Sequence, residues 1–111
     1  MRLRDKQKNV TFVGAAREVL TRLESATSKA DRKVLASIYR AKDRLKQDSF
    51  AGDPVARRLW PAAFADRPNL FHIELAHFWR MLYYVKGDDA QVLIIVFEIC
   101  DHPRYDRIFG Y

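Results

Sequence analysis

The chain of 111 residues is 49% apolar and 31% charged, a balance that suits one globular domain with a single modest core and excludes two independent ones. No apolar run approaches the roughly 20 residues a membrane-crossing helix needs, and the basic start "MRLRDKQKNV" lacks the apolar stretch and cleavage site of a signal peptide, so a soluble, cytoplasmic protein is expected. A net charge of +6 favours RNA, DNA or an acidic protein as partner, while the lone Cys100 excludes an internal disulfide and cannot by itself build a zinc site.

In chain order, "NVTFV" reads as a short extended piece that Gly14 interrupts. Ala16, Val19, Leu20 and Leu23 then recur at helical spacing, predicting a helix over residues 15–26. Ser28, followed three residues later by Asp31, is a cap for a second helix. There Val34, Ile38, Ala41 and Leu45 form an apolar stripe, Lys29, Lys33, Arg40 and Arg44 line the flank, and Gly52 and Pro54 mark the end. Two helices on a short turn make a helical hairpin with a basic side.

After the linker-like "AGDPVARRLWPAAFADRP" the period changes to two. "LFHIEL" alternates, "FWRMLYYV" favours strand, "KGDD" is a turn, and "AQVLIIVFEIC" is a long strand apolar on both faces. These predict a three-stranded antiparallel meander with the last strand inside the sheet, and "NVTFV" as an extra strand beside it. The fold expected is α+β, an N-terminal helical hairpin packed on a small antiparallel sheet. Strict alternation puts Glu98 and Cys100 on one face and Phe97 and Ile99 on the other. The uncovered face would collect His72, Glu74 and Glu98, with His102 at its edge and Arg80 if the turn sets that register. The ending "DHPRYDRIFGY" is either a strand fraying into a solvated end or the place where chemistry sits.

The order of an N-terminal strand, a helical hairpin, "LFHIELAHFWRMLYYV", a turn and "VLIIVFEICDHPRYDRIF" resembles the RelE/ParE toxin superfamily of prokaryotic toxin–antitoxin systems. The specific part spans Leu70 to Phe109. The resemblance implies an endoribonuclease that cuts messenger RNA without metal or other cofactor, often on the ribosome, and an acidic, helical antitoxin as cognate partner. It places Arg80, the match to the family's strand arginine, on the scissile phosphate, with Arg104 as second cation. Arginine suits that task because its planar fork gives two hydrogen bonds and keeps its charge. A histidine ring can both accept and donate a proton, so His102 can serve as base or acid. Tyr105 matches the family's C-terminal tyrosine, for stacking on a base or a proton relay, and Tyr111 competes for that role. Arg57 and Arg58 are the nearest substitutes for the lysines of some relatives, and Lys33, Arg40 and Arg44 extend the basic surface for RNA or an acidic partner.

Alternatives stand beside these roles. Arg80 is equally suited to pair with Glu74 or Glu98 across strands, His102 to cap a helix or sit on the surface, and Trp60 and Trp79 to pack. Pro103 interrupts the family's ending, and Asp101 and Asp106 are unhelpful beside a phosphate. A ParE-like relative would inhibit DNA gyrase by protein contact, and a catalytically inactive relative would bind RNA or protein without turnover.

Overall fold

The computed structural model describes residues 7–110; Tyr111 and the basic opening segment 1–6 lie outside them. The chain runs through strand β1 (Gln7–Phe12), helices α1 (Gly14–Glu24) and α2 (Lys29–Gln47), strands β2 (Asp53–Pro54), β3 (Phe71–Glu74), β4 (Arg80–Gly87) and β5 (Gln91–Cys100), and helix α3 (His102–Phe109). Gly14 starts α1 from the left-handed region at φ 53°. Ser28 caps α2, its Oγ accepting the Asp31 N–H at 3.1 Å.

The expected hairpin on a small antiparallel sheet is corrected by this order. A strand precedes the helices, and the sheet has five strands in the order β1-β5-β4-β3-β2, with β1 parallel to β5. The cause lies in β5, whose apolar run needs backbone partners along both edges. β4 occupies one edge and β1 the other, from Gln7 opposite Gln91 to Phe12 opposite Val96.

Side-chain alternation divides the core in two. Ile73, Met81, Tyr83, Ile94 and Val96 pack with Ala16, Leu23, Val34 and Ile38 of α1 and α2. Leu70, Leu82, Phe97 and Cys100 form the second cluster with Tyr105 of α3, on the opposite face by the two-residue period. Phe97 is a further correction. Pairing steps from Leu82 opposite Glu98 to Tyr83 opposite Val96, so Phe97 is the extra residue of a β-bulge and joins the face of Cys100 rather than that of Ile99.

The polar ending is helical. Asp101 Oδ1 accepts the Arg104 N–H at 3.0 Å, Pro103 sits in the first turn, where its missing N–H leaves no bond unmade, and Gly110 closes α3 at φ 76°. Where the chain leaves α2 for the sheet, the Gly52 N–H donates to Tyr83 Oη at 2.9 Å. A Cβ at Gly52 would stand 2.6 Å from the His72 carbonyl oxygen and 2.7 Å from Tyr83 Oη. Gly52→Ala is expected to destabilise the fold by about 1–3 kcal/mol, read as a melting temperature several degrees lower; an unchanged melting temperature would show that this connection yields freely.

Candidate functional site

Strand register assembles the site. Glu74 pairs with Arg80 and Arg80 with Cys100; two residues along, His72 pairs with Leu82 and Leu82 with Glu98. These rows set His72, Glu74, Arg80 and Glu98 on one sheet face, and α3 lies over that face because Tyr105 is buried among Leu70, Leu82, Phe97 and Cys100. The Arg80 guanidinium carbon sits 4.4 Å above the Tyr105 ring, and Arg80 Nη2 reaches Glu74 Oε1 at 3.4 Å. Tyr105 is only 4% exposed, with the Phe109 ring 4.6 Å away and His72 edge-on at 6.0 Å. It forms a floor under Arg80, and a base could reach the ring only if α3 moved.

Arg104 Nε donates to Glu98 Oε1 at 3.1 Å. Glu98 is buried, and a buried carboxylate requires such a partner; the same hydrogen bond raises the Arg104 pKa further. His102 is more than half exposed at the start of α3, its Nε2 3.4 Å from Asp106 Oδ2 one turn on. Burial pushes the Cys100 thiol up to about 12, so it is a protonated core group and no nucleophile at neutral pH.

His72 was legible in the sequence only as a member of the face; the structure gives it a state. Its Nδ1 is buried without a hydrogen-bond partner among the described residues, and Nε2 lies 3.7 Å from Asp53 Oδ2. Burial first, then the charge of Arg80, lowers its pKa, while Asp53 and Glu74 oppose the shift. Folding therefore favours the neutral ring. Its contribution is complete above the unfolded value of about 6.5 and is lost as pH falls from there through the lowered folded pKa. His72→Phe is expected to flatten the fall in stability between about pH 7 and 5, measured by urea melts; an unchanged slope would mean that the ring charges without cost.

Three clefts adjoin these groups. One of about 580 Å³ is lined by Leu75, Phe78, Trp79, Arg80 and His102, together with Glu74 and His77. Across Trp79, a second of about 320 Å³ contains Arg22, Glu98, Arg104 and Arg107. Beyond Glu74 and Leu75, a third of about 250 Å³ contains Arg40 and Arg44. Two of the α2 cations thus reach the margin of the site. Lys33 lies exposed two turns earlier on α2. Arg57 and Arg58 are exposed on the turn Arg57–Leu59, Arg57 lying over the Trp60 ring at 4.3 Å, and neither lines the three clefts.

Among the described residues, no three His, Cys, Asp or Glu side chains are grouped to hold a metal ion, and no helix is long and apolar enough to cross a membrane. Neither a protein-family model nor a curated protein matches the chain.

Proposed function

We propose that this chain is a cytoplasmic toxin of the RelE-like kind, an endoribonuclease that cuts messenger RNA without a metal and is neutralised by an acidic, helical antitoxin. The observation that carries the reading is the meeting of Arg80 and His102 in one cleft, with Arg104 in the next, across Trp79. In the reaction the ribose 2′-oxygen bonds to the adjacent phosphorus and the bond from phosphorus to the 5′-oxygen breaks. One proton leaves the 2′-hydroxyl and one reaches the departing 5′-oxygen. His102 is the proton carrier, and Arg80 holds the crowded phosphorane anion through its fork.

The ion pairs separate the two arginines. Glu74 is well exposed and its contact with Arg80 is long, so water screens the pair and a phosphate can displace the carboxylate at little cost. Tyr105 keeps the guanidinium in place during the exchange. Arg104 uses Nε to neutralise buried Glu98 and offers its outer nitrogens as the second cation. The exposed flank of Lys33, Arg40 and Arg44 supports an acidic helix as the antitoxin and a polyanion such as mRNA or the ribosome as the target.

One observation favours a second reading: both arginines already have carboxylate partners, as a binding relative without turnover would. Incubation with naked RNA in EDTA and, separately, with mRNA on translating ribosomes, whose own structure needs magnesium, decides between them. Cleavage in either assay supports the nuclease. Binding with intact RNA in both supports the second reading, and cleavage of naked RNA only when magnesium or manganese is added contradicts the metal-free reaction.

A further inference from the structure

The connection between β3 and β4 has a backbone its sequence does not favour. His77 stands at φ 57°, ψ 35° and Phe78 at φ 63°, and the Trp79 N–H closes the turn on the Ala76 carbonyl at 3.2 Å. Two central residues with positive φ belong to a type I′ hairpin turn, which Asn-Gly adopts without strain. Histidine tolerates this region; a bulky phenylalanine does not. The strain is held from both sides, by the Leu75 N–H on the Trp79 carbonyl at 2.8 Å and by the Ala76 N–H on Ser37 Oγ of α2 at 3.0 Å. What the turn achieves is display, since Phe78 is 83% exposed, the most exposed large apolar side chain described.

Phe78 also lines the cleft that contains Arg80 and His102. The geometry points to Phe78 as a stacking platform for a nucleobase next to the phosphate that Arg80 binds, a substrate-positioning residue on a rigid turn; this rests on the RNA reading above. A base needs an open aromatic face within one nucleotide of a cation, and sequence-tolerant stacking of this kind is how single strands are held. A protein partner would need a contiguous apolar patch, whereas beside Phe78 the cleft adds only Leu75 and Trp79 to Glu74, His77, Arg80 and His102, a small apolar surface broken by charged and polar groups. The fixed backbone means that no loop ordering opposes binding.

The test uses a 2′-O-methyl oligoadenylate, which cannot be cut because the attacking hydroxyl is blocked, and an abasic strand of equal length and charge. Fluorescence anisotropy at low salt compares wild type with Phe78→Ala, Phe78→Trp and Phe78→Gly. Phe78→Ala is expected to weaken oligoadenylate binding by about 5- to 100-fold and leave abasic binding unchanged, and Phe78→Trp to restore the difference. Phe78→Gly should bind as poorly as Phe78→Ala and melt several degrees higher, because the strain is relieved. Equal wild-type affinity for the two strands overturns the assignment. Equal loss on both strands in Phe78→Ala also overturns it and assigns the side chain to the fold or a protein contact. No binding to either strand overturns it too, and the cleavage assays then decide separately whether the nuclease reading falls.

Discussion

Arg80→Ala is expected to slow RNA cleavage by about 30- to 1000-fold, the effect of removing a transition-state contact of roughly 2–4 kcal/mol. Arg80→Lys should fall between, because lysine keeps the charge and loses both the fork and the flat contact with Tyr105. The fold should lose only about 1–2 kcal/mol, mostly the contact with the Tyr105 ring, since among the described residues the ion pair lost is the long one to exposed Glu74. Glu74→Gln supplies the opposite control: it removes the carboxylate that competes with phosphate, and cleavage should be maintained or faster. If Arg80→Ala melts at a lower temperature and cleaves at the wild-type rate, Arg80 is a structural cross-strand residue and the site is misplaced.

Tyr105→Ala should have the largest effect on stability. The ring is almost fully buried and packs with Arg80, Phe109 and His72, so its loss opens a cavity between α3 and the sheet. A cost of about 3–5 kcal/mol is expected, a large part of the 5–15 kcal/mol that a domain typically has. Activity should fall with it, because Arg80 loses its floor. Tyr105→Phe keeps the ring, and as a floor residue it should retain far more cleavage than the alanine variant. Loss of cleavage in Tyr105→Phe with an unchanged melting temperature would instead assign the hydroxyl to the proton relay.

The parts of this molecule that follow local rules could be read from the residues alone. The alternation in "LFHIEL" and the length of "AQVLIIVFEIC" located β3 and β5, and the Ser28 cap fixed the start of α2. The sheet's mixed character was hidden, because the pairing of Gln7 with Gln91 joins positions separated by most of the chain. The bulge at Phe97 was hidden for another reason: inside an unbroken apolar run no glycine or polar residue marks the slip. Helix α3 carried its signals in Asp101, Pro103 and Gly110, but eight mostly polar residues give too few turns for periodicity to speak. The hairpin turn at His77 follows from the change between "LFHIEL" and "FWRMLYYV" and is where the structure has it, but its I′ form was hidden, because neither Asn nor Gly marks it. Residue types alone also could not separate Arg80 on Glu74 from Arg80 on phosphate, since both uses need the same side chain on the same face.

The ends of the cut RNA test the central claim most directly. Wild-type protein should leave upstream fragments with a 2′,3′-cyclic phosphate and downstream fragments with a free 5′-hydroxyl, identified by mass spectrometry, and parallel preparations of Arg80→Ala should yield these ends far more slowly. Fragments with a 3′-hydroxyl and a 5′-phosphate would require water, not the 2′-oxygen, as the attacking group, and would contradict the mechanism assigned to Arg80 and His102.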